Sequence, residues 1–297
     1  MPEPLLQPRL NHVQCLDTPG PTSMALHRMA YWEWGDAANP RVLVCVHGLS
    51  RQGRDFDTLA RSLCGHYRVV CPDVVGRGRS DRLANPVGYQ VPQYIADMVT
   101  LLARLNASSV DWVGTSMGGL IGLGVAALPG SPLRRLVLND VGPTIEPASL
   151  QRIGSYLGRP SRWPSLDAAA DALLAISAGF GPHTREQWLA LTEPQIVADG
   201  DSLVPRCDPA IAVPFLAATP ETARAGEALL WQAYDSLTLP TLLLRGADSD
   251  LLSHATAQAM TGRGPRARLV EFAGVGHAPT LVAPAQVQVV GEFLLAP

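Results

Sequence analysis

The sequence predicts an α/β protein with a mostly parallel central sheet and helices on both faces of that sheet. Short apolar runs such as Val42–Val46 alternate with stretches whose apolar residues recur at helical spacing. Strands separated by helices pair in parallel, and a strand that is apolar throughout is covered on both faces. A second observation is a glycine-rich turn around Ser116, which follows one such run and precedes a helical pattern. The alternation and the turn together indicate strand–helix units packed in layers.

The predicted elements follow one another in a regular order. Alternation of apolar and polar residues over 27–34 predicts an edge strand. The later predicted strands are the apolar runs Val42–Val46, Arg68–Cys71, Val110–Val113, Leu133–Asp140, Thr241–Arg245 and Arg268–Phe272. The predicted helices are Phe56–Leu63, Pro92–Leu105, the segment after Gly118, a segment from Ser253, and Pro284–Leu295. Pro92 favours a first helical turn, and Met98 and Leu102 share one face of its helix at the 3.6-residue period.

The chain divides into an N-terminal arm over residues 1–26, a core over 27–141 and 236–297, and a helical insert over 142–235. The arm is rich in proline and polar residues and predicts no defined element. The insert has scattered prolines, several large aromatic residues and no convincing buried strand. Its helix-like pieces are Ala168–Ile176, Arg185–Leu191 and Thr222–Ala233. We expect the insert to form a cap, or lid, that shapes a substrate pocket.

Composition excludes several classes of protein. At 297 residues, 47% hydrophobic and 16% charged, the chain has ample material for a folded core. The net charge is −3 and basic residues do not cluster, so no nucleic-acid partner is expected. Five widely spaced cysteines favour free thiols in a reducing compartment. No leader pattern or membrane-length apolar run is present, which favours a cytoplasmic protein without a membrane partner. The sequence does not indicate an oligomeric state.

The turn around Ser116 has the pattern Gly-x-Ser-x-Gly, in which Gly114 and Gly118 flank the serine. A turn sharp enough to hold a serine above a sheet leaves no room for side chains two positions away, and glycine removes them. The serine then lies at a helix N-terminus, where free N–H groups favour developing negative charge. The pattern predicts Ser116 as a nucleophile.

A serine hydroxyl needs a base to take its proton. His277 is the strongest candidate, because it lies in a glycine-rich loop, residues 273–279, just after the last predicted strand. His47 directly follows a buried strand, and we interpret it as a side chain that holds a loop through backbone hydrogen bonds. The backbone N–H groups of Met117 and Leu49 are the predicted donors to an oxyanion, on the basis of position alone.

These motifs resemble those of the α/β-hydrolase superfamily, and they occur in the family's order. They are His47-Gly48, the Asp73-x-x-Gly76-x-Gly78-x-Ser80 loop, the Gly114-x-Ser116-x-Gly118 elbow and Gly276-His277-Ala278-Pro279. The resemblance covers residue 27 to the C-terminus, with 142–235 where the family inserts its lid. It implies the α/β-hydrolase fold, a catalytic triad and no cofactor. Many members carry histidine at the position of Thr115, and we expect this difference to affect packing and not chemistry.

The acid that orients His277 has two candidates. The family usually places it three residues beyond a glycine after the strand that is Thr241–Arg245 here, but that position is Ser249. Asp250 lies next to it. Some branches use an aspartate at the end of the strand after the elbow helix, and Asp140 has that place. We predict Asp140 as the acid, with Asp250 as the alternative.

The predicted function is a serine hydrolase that cleaves a carboxylic ester, thioester or lactone of a small acyl substrate through an acyl-enzyme. A carbon–carbon bond hydrolase or amidase on the same triad is the alternative, and a slow-turnover ligand receptor is a third possibility. Ser116 argues against epoxide hydrolases and haloalkane dehalogenases, which carry aspartate at the elbow. No ligand spacing indicates a metal. Arg51 and Arg77 are interpreted as solvated loop residues without a role in substrate binding.

Overall fold

The computed structural model describes residues 6–17 and 25–297 and is built around an eight-stranded sheet. The strands in chain order are β1 (Arg9–Leu16), β2 (Leu26–Trp34), β3 (Val42–Val46), β4 (Arg68–Pro72), β5 (Val110–Thr115), β6 (Leu133–Asn139), β7 (Ile196–Asp199), β8 (Ser202–Pro205), β9 (Thr241–Gly246) and β10 (Arg268–Phe272). The helices are α1 (Asp57–Leu63), α2 (Val91–Leu105), α3 (Met117–Ala126), α4 (Pro147–Gly154), α5 (Leu166–Ile176), α6 (Arg185–Thr192), α7 (Ala212–Leu216), α8 (Pro220–Ser236), α9 (His254–Gly262) and α10 (Pro284–Leu295).

The sheet has the order β1-β2-β4-β3-β5-β6-β9-β10. All pairs from β4 to β10 are parallel, whereas β1 and β2 pair antiparallel with their neighbours. The predicted class, a mostly parallel sheet with helices on both faces, is therefore confirmed. In the described part of the chain, no helix combines the length and apolar character needed to cross a membrane.

Two hydrophobic cores lie on opposite faces of the sheet. Along β3, Val42, Val44 and Val46 belong to the core that contains α2, α3 and α9. Leu43 and Cys45 belong to the core that contains α1 and α10. Successive strand residues point to opposite faces, so a strand that is buried on both sides must be apolar at every position.

The prediction of an edge strand over 27–34 is wrong, because β1 pairs with β2 along its whole length and forms the edge itself. Val13 and Cys15 on β1 are buried while the residues between and beside them are exposed. This two-residue alternation was the signal that the proline-rich composition of the arm concealed. Residues 1–5 and 18–24 of the predicted arm lie outside the described residues.

His27 holds β1 and β2 against α2. Its Nδ1 lies 2.5 Å from a carboxylate oxygen of Asp17, and its Nε2 lies 3.0 Å from a carboxylate oxygen of Asp97 on α2. Burial alone would lower the pKa of His27, but hydrogen bonds with Asp97, Cys15 and Asp17 raise it to about 10. The ring is therefore an imidazolium between two carboxylates at neutral pH.

The insert contributes no strand to the main sheet within the described residues; it forms α4 to α8 and the hairpin β7–β8. The sequence predicted α5, α6 and α8, but it did not predict α4, α7 or this hairpin, whose side chains are mostly half-buried or exposed. Trp188 on α6 packs with Ala170 and Leu191 in a small core of the insert's own. Its indole N–H donates to the carbonyl oxygen of Ala170 at 2.7 Å. Trp188 is therefore an interior residue of the insert and contributes to its packing.

Candidate active site

The chain reverses direction at Ser116, between the end of β5 and the start of α3. A β-carbon at Gly114 would lie 2.2 Å from the carbonyl oxygen of Gly118, and one at Gly118 would lie 2.0 Å from the carbonyl oxygen of Val46. Neither position can hold a larger residue without moving backbone. Ser116 itself has φ of 52°, a left-handed conformation that costs a non-glycine residue about 1–2 kcal/mol. The elbow predicted from the sequence therefore has the expected steric basis.

Ser116, His277 and Asp140 lie together in one chain of hydrogen bonds. The Ser116 hydroxyl is 3.0 Å from Nε2 of His277, and Nδ1 of His277 is 2.7 Å from a carboxylate oxygen of Asp140. A carboxylate can only accept, so Nδ1 donates to Asp140 and leaves Nε2 free to accept the hydroxyl proton. This geometry can activate a serine for attack on a carbonyl carbon.

Asp140 is completely buried and follows the last residue of β6. Besides His277, its carboxylate accepts from the backbone N–H of Gly246 at 2.9 Å and from the Ser249 hydroxyl at 2.6 Å. Ser249 occupies the position at which the family resemblance implied an acid, and here it supports the carboxylate from β6 instead. Sequence reasoning noted the missing acid but missed this supporting role.

Asp250, the alternative acid, has another partner. Its carboxylate forms two hydrogen bonds with the guanidinium of Arg152, at 2.6 and 2.8 Å, and its side chain is 44% exposed. Burial raises the pKa of Asp250, but the Arg152 guanidinium and the more distant His277 outweigh burial and hold that pKa below its usual value. The structure places Asp140, and not Asp250, within hydrogen-bonding distance of His277.

Met117 directly follows Ser116 at the start of α3, and Leu49 lies in the loop after β3. An added β-carbon on Gly48 would lie 3.7 Å from the β-carbon of Ser116, so this loop packs directly on the elbow. Within the described part of the chain, the backbone N–H groups of Leu49 and Met117 donate to no acceptor. Both groups are therefore available to a ligand, as the predicted oxyanion donors must be.

His47 braces the same loop. Its Nδ1 donates to the carbonyl oxygen of Gly48 at 2.7 Å, and its Nε2 accepts from the backbone N–H of Val74 at 2.9 Å. Burial lowers the pKa of His47 to about 3, so the ring is neutral. The interpretation of His47 as a loop-holding residue is confirmed.

Asn139 connects the elbow to the loop of His277 and was not singled out in the sequence. Its side-chain amide donates to the Thr115 hydroxyl at 2.9 Å and to the carbonyl oxygen of Pro279 at 2.7 Å. Many family members have histidine in place of Thr115. Here the Thr115 hydroxyl accepts from Asn139, which also holds the loop of His277. The signal that could have found Asn139 is its place beside Asp140 at a strand end.

Cys15, His27 and Asp97 form a second group of polar side chains, whose ligand-type atoms lie within 4.8 Å of one another. The sequence showed no such group, because the three residues come from different elements. Cys15 on β1 lies four strand positions from β5 and His27 on β2 lies three, which is about 19 and 14 Å at ordinary strand spacing. Both ring nitrogens of His27 already contact carboxylates, so the group holds the edge of the sheet against α2 through hydrogen bonds. All five cysteines are unpaired, as predicted.

The parallel sheet and the hydrogen-bonded serine, histidine and aspartate at the elbow are the features of a serine hydrolase. Comparison with known sequences identifies the same class. The chain belongs to the alpha/beta hydrolase family, whose sequence model matches residues 43–288.

Two related enzymes and one solved structure illustrate this membership. The 3-hydroxybutyrate-oligomer hydrolase of Cupriavidus necator is 55% identical over 96% of this chain and 97% of its own length. A pimeloyl-[acyl-carrier protein] methyl ester esterase of Xanthomonas oryzae is 28% identical over 80% of this chain and 88% of its own. The crystal structure of an alpha/beta hydrolase from Novosphingobium aromaticivorans matches with a TM-score of 0.83 and 35% identity, over 97% of this chain and 98% of that one. The predicted enzyme class, a carboxylic ester hydrolase, is therefore confirmed.

Proposed function

We propose that this protein hydrolyses short linear oligomers of 3-hydroxybutyrate, with Ser116 as the nucleophile, His277 as the base and Asp140 as the orienting acid. The observation that carries the reaction type is the unbroken chain of hydrogen bonds from Ser116 through His277 to Asp140. The relative from Cupriavidus necator, 55% identical over nearly the whole chain, supports the substrate.

The proposed reaction follows from this geometry. His277 takes the proton of Ser116 through Nε2 while the serine oxygen attacks an ester carbonyl, and Asp140 stabilises the imidazolium that forms. The N–H groups of Leu49 and Met117 donate to the oxyanion of the tetrahedral intermediate. His277 then gives the proton to the departing 3-hydroxyl oxygen, which leaves an acyl-enzyme. A water molecule, deprotonated by His277, releases the second product.

A cavity between the insert and the core is large enough for such a substrate. It has a volume of about 700 Å³ and is lined at the core by Ser50 and Arg82, of which Ser50 is next to the predicted donor Leu49. Ser116 and His277 are not part of its lining, and the cavity reaches the core beside the loop of Leu49 instead. Most lining side chains are apolar and come from the insert, among them Leu157, Ile176, Ile196, Val204 and Ile211. A mainly apolar cleft of this size is typical of a small-molecule site, and it suits an oligoester that carries a methyl group on every unit.

A substrate panel tests the proposed function. We expect the dimer and trimer of 3-hydroxybutyrate to be hydrolysed with a kcat/KM about 100-fold above that of ethyl butyrate, because the cavity contacts more than one unit. Products are separated by chromatography and quantified. Hydrolysis of simple esters without hydrolysis of the oligomers would retain the ester hydrolase and refute the substrate. Turnover of an amide or a carbon–carbon substrate alone would favour the alternative reactions.

The carboxylate end of the oligomer has a candidate partner in Arg159. This residue lines the cavity from the insert and is exposed. Within the described residues, no carboxylate forms an ion pair with it. We expect Arg159→Gln to raise KM for the free trimer about five-fold, which corresponds to the loss of one exposed ion pair. The methyl-capped trimer has no carboxylate, so its KM should not change.

Arg224→Gln is the matched control for Arg159, because Arg224 is an exposed arginine on α8 that does not line the cavity. It should leave KM unchanged for both trimers. An equal rise in KM for the free and capped trimers in Arg159→Gln would show that Arg159 does not recognise the carboxylate.

A further inference from the structure

We propose that Arg77 is a positioning residue, whose buried guanidinium shapes the loop of Leu49 and places a positive charge behind the oxyanion hole. This role rests on the proposed function, because it takes Leu49 and Met117 as the oxyanion donors. It differs from the sequence interpretation of Arg77 as a solvated loop residue, which is wrong: Arg77 is 1% exposed.

The first observation is a buried charge without a counter-ion. Arginine is almost never fully buried unless it is paired. Among the residues that the structure describes, no carboxylate lies within 4.0 Å of the Arg77 guanidinium. Arg245, the other buried arginine, is paired with Glu271 at 2.6 Å.

One acid close to Arg77 in the fold, Asp208, already has other hydrogen-bond donors. Asp208 follows Cys207, which forms a β-bridge with Arg77. The Asp208 carboxylate accepts from the Tyr89 hydroxyl at 2.7 Å and from the backbone N–H of Ala210 at 3.0 Å. In the part of the chain that the structure describes, the hydrogen-bonding partners of the guanidinium are therefore neutral groups.

The second observation is the identity of those neutral groups. Nε of Arg77 donates to the carbonyl oxygen of Leu49 at 2.8 Å, and Nη2 lies 3.8 Å from the sulfur of Met117. Nη1 donates to the carbonyl oxygen of Val75 at 2.7 Å and to the Tyr94 hydroxyl at 3.0 Å. One guanidinium thus contacts both residues whose N–H groups are the proposed oxyanion donors.

These contacts have two consequences for the reaction. The bond to the Leu49 carbonyl fixes the peptide plane that follows Leu49, and with it the loop that presents the Leu49 N–H. An uncompensated positive charge in a dry environment favours the negative tetrahedral intermediate over the neutral ester. Loss of Arg77 should therefore slow the chemical step more than it weakens substrate binding.

The test measures kcat, KM and the affinity of a boronic acid, which forms a negative tetrahedral adduct with an active-site serine. With p-nitrophenyl butyrate as substrate, Arg77→Gln should lower kcat about 30-fold and change KM less than about three-fold. The Kd of the boronic acid should rise by the same factor as kcat falls. Arg77→Lys retains the charge but not the planar donor geometry, so it should retain more boronate affinity than Arg77→Gln.

Arg68→Gln is the matched control, because Arg68 is a largely buried arginine at the opposite end of β4 and pairs with Glu33 at 2.8 Å. It should lower the melting temperature without changing the ratio of boronate Kd to KM. An Arg77→Gln enzyme with wild-type kcat and boronate affinity overturns the role of Arg77. Equal losses in Arg77→Gln and Arg77→Lys overturn the role of its charge. A wild-type enzyme that neither hydrolyses the ester nor binds the boronic acid overturns the proposed function itself. If Arg77→Gln does not fold, Arg77→Lys alone decides, and a fall of its boronate affinity by 30-fold or more would contradict the electrostatic role.

Discussion

Ser116→Ala is expected to lower kcat for every ester substrate by about 10⁵-fold or more, since the variant has no oxygen to attack the carbonyl. Steady-state hydrolysis of p-nitrophenyl butyrate and of 3-hydroxybutyrate dimer measures the loss. Mass spectrometry after treatment with a fluorophosphonate should find one adduct on the wild type, at Ser116, and none on the variant. The methyl side chain of alanine fits wherever the serine fits, so the melting temperature should change little.

Ser62→Ala is a suitable control, because Ser62 is an exposed serine on α1 whose hydroxyl donates to the carbonyl oxygen of Leu59. It should keep both the adduct and the activity. An adduct that persists in Ser116→Ala would exclude Ser116 as the nucleophile. A wild-type protein that releases one equivalent of p-nitrophenol and then stops would instead indicate the slow-turnover receptor.

Asp140→Asn is expected to lower kcat by about 10⁴-fold with little change in KM. An amide can turn its NH₂ group toward Nδ1 of His277, which favours the tautomer with the proton on Nε2, and that tautomer cannot accept the serine proton. The imidazolium of the transition state also loses its buried counter-charge. Circular dichroism and the kcat of the purified variant measure the effect.

Asp250→Asn is the comparison for Asp140, since Asp250 is the alternative acid. Its loss breaks the ion pair with Arg152 and removes a negative charge that is partly exposed. We expect a change in kcat of about ten-fold or less, equivalent to about 1.4 kcal/mol of barrier. If Asp250→Asn is inactive and Asp140→Asn remains active, the assignment of the acid is reversed.

The sheet and the elbow could be predicted because each depends on patterns that are local in the chain. The strand β3 is apolar at every position, and the steric need for glycine at 114 and 118 is a property of five consecutive residues. The acid was ambiguous because it depends on strand order. The pairing of β6 with β9 brings Asp140, at the end of β6, beside the loop that follows β9. No local sequence pattern predicts that pairing.

Other features escaped prediction for the same reason. The pairing of β1 with β2 crosses a proline-rich segment, and the role of Ser249 depends on a carboxylate 109 positions away in the chain. Arg77 resembled any loop arginine, because its burial comes from contacts with Leu49, Met117 and Tyr94, which lie on separate elements. Long-range contacts of this kind decide which polar side chains are buried.

The strand β1 covers the backbone edge of β2, and this arrangement bears on self-association. Without it, β2 would present a row of unpaired backbone N–H and C=O groups, which is a template for pairing with another chain. With it, the outermost strand is β1, whose exposed side chains include His12 and Gln14 as well as Leu10 and Leu16. The ion pair of Arg9 with Glu33 and the imidazolium of His27 hold its two ends. A protease that removed the first 16 residues would therefore leave the hydrolytic groups in place and yet create a chain prone to aggregate through its new sheet edge.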